Sequence, residues 1–292
     1  MKKWIVMLLL LSLLFVGCSK QEATYDIVAT TLPVYDFTVS ICHGTGLTVG
    51  RLVTENVSCL HDYTLQVTQM RMVEAANTVV ISGAGLENFL EDVLSGSTHV
   101  IDASYGAHLH ESLDGHDHEH GNDDHHHDQD PHIWLAPENA KHMAESICHG
   151  LTKLYPQYET AFQNNLNLLL DELRTLQDYG KQMLADLSCR EIITFHDGFT
   201  YFAENFGLTI LAAIEEESGS EPSAAEIIDL INLVNKHHLP AVFTEINGSD
   251  ACAGILQAET GVQIFSLDMA MTGESYFDAM YYNIDTVKEA LK

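Results

Sequence analysis

Four side chains in this sequence have the chemistry and the placement to hold one divalent cation: His61, His132, His196 and Asp268. Three imidazoles and one carboxylate match a tetrahedral zinc shell, and a shell without thiolates leaves the ion exchangeable with a partner. His196 closes the apolar run Ile192-Ile193-Thr194-Phe195, and Asp268 closes Ile264-Phe265-Ser266-Leu267. His61 lies in the loop after the run ending at Val53, and His132 closes a His-rich insertion that begins where the run His99 to Ala103 ends. Ligands of doubly wound sheets collect at the carboxyl ends of strands, so the common placement makes these four one set, two from each half of the chain. Glu245, which closes Val242-Phe243-Thr244, is either a rival carboxylate or a residue that orients a ligand histidine by hydrogen bonding.

Composition points the same way. The 292 residues carry 42 Asp and Glu against 13 Lys and Arg, with 17 His and a formal charge of -29. That balance excludes nucleic acid and an anionic membrane surface as partners, which require a basic face. At 46% hydrophobic the chain buries a core and is not a disordered acidic protein. There is no His-Glu-x-x-His or Gly-x-Ser-x-Gly motif, and Ser82-Gly83-Ala84-Gly85 reads as a strand-to-helix turn without a phosphate fingerprint. A zinc hydrolase is the competing class, but it needs an open coordination position and a general base. A four-ligand shell leaves neither, so the chain is expected not to be an enzyme.

The elements that must position these residues alternate. Apolar runs at Ile27 to Thr31, Leu47 to Val53, Thr78 to Ser82 and His99 to Ala103 are separated by helical patterns at Val34 to Ile41, Leu65 to Ala76 and Leu86 to Leu94. The alternation recurs with runs at Glu191 to Phe195, Leu208 to Ile214, Ala241 to Ile246 and Val262 to Leu267, and helices near Gly198 to Phe206, Ser223 to His238, Ala251 to Thr260 and Ser275 to Leu291. Strand–helix alternation implies parallel sheets, so the fold class is α/β: two doubly wound parallel-sheet domains, at 25–154 and 189–292. Between them, 155–188 has leucines and aromatics at three- and four-residue steps, a continuous helix of about 45 Å. Such a helix is a stiff connector. Within the first domain, 105–130 holds eight His, eight Asp or Glu and no Lys or Arg. It reads as a mobile loop with weak affinity for metal.

The chain begins with Lys2-Lys3 and an apolar run from Trp4 to Val16, too short to span a bilayer as a helix. Residues 1–17 therefore read as a signal peptide and 18–24 as a linker. Val16-Gly17-Cys18-Ser19 resembles a bacterial lipobox with Cys18 as the acylated residue. Five further cysteines allow two disulfides and one free thiol in 15 arrangements. Cys42–Cys59 and Cys148–Cys189 are the expected pairs, with buried free thiols as the competing reading.

Three stretches carry a family resemblance. Leu60-His61-Asp62-Tyr63, Asp130-Pro131-His132-Ile133-Trp134-Leu135-Ala136-Pro137, and Phe195-His196-Asp197-Gly198-Phe199 with Tyr201-Phe202 resemble the motifs of the metal-binding lipoproteins of bacterial ABC uptake systems, solute-binding protein family 9. Among these the chain most resembles the zinc-binding members, including the His-rich loop before Asp-Pro-His. The resemblance implies two α/β domains joined by a rigid helix, with metal held in the cleft by His61, His132, His196 and the carboxylate of Asp268. It also implies delivery to an ABC permease with its ATPase by a monomer lipid-anchored outside the cytoplasm. Manganese-binding relatives usually offer two histidines and two carboxylates, whereas three imidazoles favour zinc. Mn2+ is the alternative cargo, copper or nickel remain open, and a role as surface adhesin or metal buffer is compatible with the same site.

Overall fold

The computed structural model describes residues 24–55, 57, 60, 63–90, 92–94, 99–110, 129–215, 222–246, 248 and 251–292. The N-terminal signal run, Cys18, Cys59, His61 and most of the His-rich insertion lie outside the described residues.

Strands with near-continuous apolar character are those covered on both faces by helices, and the two central ones, β5 (Glu191–His196) and β7 (Ala241–Glu245), are buried almost throughout. They belong to a four-stranded sheet of order β6-β5-β7-β8, with β6 at Thr209–Glu215 and β8 at Gln263–Leu267. The first sheet has the same wiring: β1 (Ile27–Ala29), β2 (Val49–Arg51), β3 (Thr78–Ile81) and β4 (His99–Asp102) lie in the order β2-β1-β3-β4. Every pairing is parallel. In each sheet the chain winds first to one side and then to the other, so the switch points fall between β1 and β3 and between β5 and β7. Crevices for ligands open at those points.

The helices start where their sequences direct. α1 (Leu32–Cys42) and α3 (Pro137–Leu154) carry proline in the first turn, where its missing N–H is no loss. α2 spans Val67–Ala75, and α5 (Thr200–Phe206) stops at Gly207 in the left-handed region, φ 69°. α6 (Ala224–His237) opens on a capping box between Ser223 and Glu226. α7 covers Ala251–Thr260, and α8 covers Tyr276–Ala290.

The connector is α4, Glu159–Met183, 25 residues and about 37 Å long. It is shorter than the expected span, because Pro156–Tyr158 forms a separate 3-10 turn before it. Its buried face, Phe162, Leu166, Leu169, Leu170, Leu173 and Leu176, packs on α1 and α3 of the first half and continues to α8 of the second. At Gly180 a Cβ would lie 2.2 Å from the Phe206 ring, so the glycine lets α5 close onto the connector. One apolar core runs from Ile27 through α4 to Phe243 and Ile284.

Two further expectations are corrected, and one helix is added. Among its described residues, Leu86 to Leu94 forms only the 3-10 turn Asn88–Leu90, because Glu87 turns inward to accept hydrogen bonds from Ser82 N, Gly83 N and the Thr30 hydroxyl at 2.7, 3.0 and 2.6 Å. The added helix is α3, which lies outside the alternating runs. Cys148 and Cys189 are free thiols, not a disulfide: Cys148 packs within α3 before the connector, and Cys189 follows it, beside Glu191. Cys42 is also free, and its expected partner Cys59 lies outside the described residues. No described helix is long and apolar enough to cross a membrane.

Candidate metal centre

His196 is the last residue of β5 and Glu245 the last of β7, so the two flank the switch point of the second sheet. His132 arrives from the first half, just before the 3-10 turn Ile133–Leu135. That turn is fixed across the molecule. Trp134 donates from Nε1 to the Met269 carbonyl at 2.7 Å, and its own carbonyl accepts from the Tyr276 hydroxyl at 2.8 Å. Further ties join the segment after β8 to the first half: Leu32 N donates to Met271 O, Arg51 to Gly273 O, and Tyr276 N to Asp36.

These constraints bring His132 and His196 together. They are 2% and 4% exposed, their rings meet edge to face with centroids 5.0 Å apart, and Nε2 faces Nε2 at 3.4 Å. Asp130 sets the first ring. Its Oδ1 accepts from both the backbone N–H and the ring Nδ1 of His132, each at 2.9 Å, so the proton sits on Nδ1 and Nε2 presents a lone pair. Glu245 addresses the other nitrogen of the second ring, with Oε1 3.8 Å from His196 Nδ1. Two nitrogens bound to one tetrahedral zinc at about 2.0–2.1 Å stand about 3.4 Å apart. The pair therefore has the spacing to share one ion.

Gly198 forms the wall of this site. A Cβ there would lie 2.6 Å from Met269 Cε, 2.8 Å from His196 Cδ2 and 3.1 Å from His132 Nδ1. Both imidazoles and the methionine thereby close onto bare backbone.

Asp268 follows β8 next to Met269. Its Oδ1 accepts from Ala270 N at 2.8 Å, while Asn283 bonds its backbone on both sides. Burial raises its carboxyl above the usual range. His61 lies outside the described residues; its neighbour Leu60 is fully buried, and Tyr63 hydrogen-bonds Glu55 and Gln69. Among the described residues, no group of three or more His, Cys, Asp or Glu is gathered closely enough to hold an ion.

The His-rich insertion is anchored at its base, which its composition concealed. Asp130 is 4% exposed, its N–H donates to His110 O at 3.0 Å, and Asn139 exchanges hydrogen bonds with the backbone of His108. The Tyr201 hydroxyl donates to Asp130 O at 2.8 Å and accepts from His110 N at 2.9 Å; burial pushes its ionisation up to about 12. Asp130 had a signal in the sequence, a carboxylate two residues before a candidate ligand across a proline. Gly198 and Tyr201 stand within the third family stretch, but their contacts with His132, Met269, His110 and Asp130 join residues far apart along the chain.

Known proteins resemble this chain in sequence and fold. The zinc-binding lipoprotein AdcA of Streptococcus pneumoniae is 29% identical over 308 residues, covering 99% of this chain and 61% of the relative. Zinc-binding protein AdcA of Streptococcus pyogenes is 27% identical over 316 residues, with 98% and 61% covered. The chain thus spans about three fifths of the length of these curated relatives. The crystal structure of ZnuA superposes with a TM-score of 0.79 at 27% identity, covering 92% of this chain and 100% of that one. The pattern of the family described as zinc-uptake complex component A, periplasmic, matches residues 27–290. Since that match takes in both sheets, the connector and both paired histidines, the chain belongs to this family.

Proposed function

We propose that the protein is the extracytoplasmic receptor of an ABC-type uptake system, binding Zn2+ between its two α/β domains and delivering it to a membrane permease and its ATPase. The observation that carries this reading is the 3.4 Å approach of His132 Nε2 to His196 Nε2, one imidazole from each half, at the spacing of two ligands on one zinc. The similarity to zinc-binding AdcA and to ZnuA supports the same cargo. His61 and Asp268 complete the proposed shell, and Glu245 orients His196. Cys18 carries the lipid anchor after removal of 1–17, and 18–24 is the tether. The domain limits we propose are 25–154 and 189–292, with 155–188 between them.

The mechanism is capture and release of a cargo ion. Asp130 holds the His132 ring through two hydrogen bonds, and Glu245 Oε1 stands 3.8 Å from His196 Nδ1, so with the two Nε2 atoms already converging little ordering remains to be done when the ion enters. The ties from the segment after β8 to Leu32, Arg51, Trp134 and Asp36 keep the two halves from hinging widely. Release then falls to the loops carrying His61 or Asp268, moved by docking of the permease. A hydrolase is set aside, because the family comprises components of an uptake complex.

The test is a zinc titration of metal-free protein. One tight site is expected, lost or greatly weakened in His132→Ala and in His196→Ala. If both variants kept that site unchanged, the assignment would be wrong. Titration with Mn2+ separates the two cargoes: three imidazoles give weaker binding of the harder ion, and tighter binding of manganese than zinc would reverse the assignment.

A further inference from the structure

One side chain of the second half touches both ends of the His-rich insertion. Tyr201, on the helix that follows the His196 strand, is 2% exposed. Its hydroxyl accepts the His110 N–H at 2.9 Å, where the insertion leaves the fold, and donates to the Asp130 carbonyl at 2.8 Å, where it returns. The same Asp130 then grips His132 through its carboxylate. The His110 ring packs on the Tyr201 ring with centroids 4.9 Å apart, and its Nε2 lies 2.5 Å from Glu204 Oε2, one helical turn further along α5.

We infer that Tyr201 is a positioning residue for the metal site: it clips the Asp130–His132 strap of the first half onto α5 of the second, and so fixes His132 Nε2 against His196. The inference rests on the metal-receptor reading and adds a residue that touches no proposed ligand. Two features make the clip effective. The hydroxyl is a buried donor and acceptor with both functions used, so its loss leaves a buried carbonyl and a part-buried N–H without this partner. The strap between Tyr201 and His132 is only three residues long and contains Pro131, whose fixed φ carries displacement of Asp130 to the histidine without absorbing it. Groups that orient metal ligands typically contribute 10- to 100-fold to affinity; Tyr201 acts one hydrogen bond further out, so about tenfold is expected.

The experiment compares wild-type protein with Tyr201→Phe, which deletes one oxygen and keeps the ring. Zinc affinity is measured against a chromophoric chelator, zinc release by chelator chase, and thermal unfolding on the metal-free forms. The expected result is an affinity about tenfold weaker, carried by faster release, with zinc-free melting lowered by only a few degrees. Affinity and release within twofold of wild type would overturn the role, leaving a purely structural hydroxyl. If the variant does not fold, hydrogen exchange of the wild-type His110 amide decides: zinc loading slows it if the clip is coupled to the site, and unchanged exchange overturns the coupling. A wild-type protein with no tight zinc site would sink the receptor reading itself, whereas a wild-type site indifferent to Tyr201→Phe sinks only the clip.

Discussion

Asp130 Oδ1 accepts two hydrogen bonds from one residue, the backbone N–H and the ring Nδ1 of His132, both at 2.9 Å. A single oxygen thus sets the rotamer and the tautomer of this imidazole, the standard use of a carboxylate behind a metal-bound histidine. Asp130→Asn keeps the size of the side chain but removes the charge. It also allows an amide N–H to face the ring nitrogen, which then favours the tautomer with its proton on Nε2. Zinc affinity is expected to fall by about 10- to 100-fold, as measured by chelator competition. Affinity equal to wild type would show that His132 is not oriented through Asp130.

Gly198 makes a sharper geometric prediction. Its missing Cβ leaves room for Met269 Cε, His196 Cδ2 and His132 Nδ1, all of which a methyl group would crowd. Cores this close-packed do not absorb an added carbon without shifting side chains, at a cost of about 1–3 kcal/mol. The flexible methionine can yield; the two rings, held by Asp130 and the end of β5, yield only by moving apart. Gly198→Ala is therefore expected to weaken zinc binding by at least about tenfold while lowering stability by about 1–3 kcal/mol. Zinc affinity unchanged alongside lost stability would place the site elsewhere.

Stability should fall as pH rises from 5 to 8. Glu87 is buried, and desolvation pushes its carboxyl up to about 7 despite hydrogen bonds from Thr30, Ser82 and Gly83. Its folded value thus exceeds its unfolded one of 4.5, so the folded state binds the proton more tightly. The resulting stabilisation is complete below about pH 4.5 and is lost as pH passes about 7, a change on the order of 3 kcal/mol. Burial raises Asp36 and Asp268 as well, so they act in the same direction. The expected observation is a melting temperature of the zinc-free protein that declines toward pH 8, with a shallower slope in Glu87→Gln. Identical slopes in the two proteins would remove Glu87 as the cause.

What the sequence made legible follows the range of the interactions. Strands β1, β5 and β7 stood out because a strand covered on both faces is a near-continuous apolar run, whereas β4, exposed at three of its four residues, was legible only from its place in the alternation; His132 and His196 stood out through their placement and the family motifs. Leu86 to Leu94 had a helical pattern, but Glu87 found better partners in Ser82 and Gly83 than in a helix. The segment forming α3 had its signal too: Pro137 at its start, then Ala140, Met143, Ala144, Ile147 and Leu151 on one face. The apparent uniformity of the His-rich insertion hid its ordered base. Tyr201 and His110 are 91 residues apart, and only the fold brings them together.

The insertion itself can be tested without disturbing that base. His110 O already accepts from Asp130 N at 3.0 Å, so the two ends are in contact and a short Gly-Gly bridge can replace residues 111–128. The deletion removes six histidines and seven carboxylates but leaves His110, Asp130, Tyr201 and His132 in place. Equilibrium affinity at the tight site is expected to stay within about threefold of wild type, because the two rings and the residues orienting them are untouched. Loading at limiting zinc is a different quantity. A dense acidic and imidazole-bearing segment raises the local concentration of cations, and such fields accelerate capture by about tenfold or more at low salt. Stopped-flow loading should therefore slow on deletion, and the difference should shrink at about 1 M salt, where the screening length falls to about 3 Å. Equal loading rates at low salt would rule out a feeding role for the insertion, and loss of the tight site would move a ligand into the deleted residues.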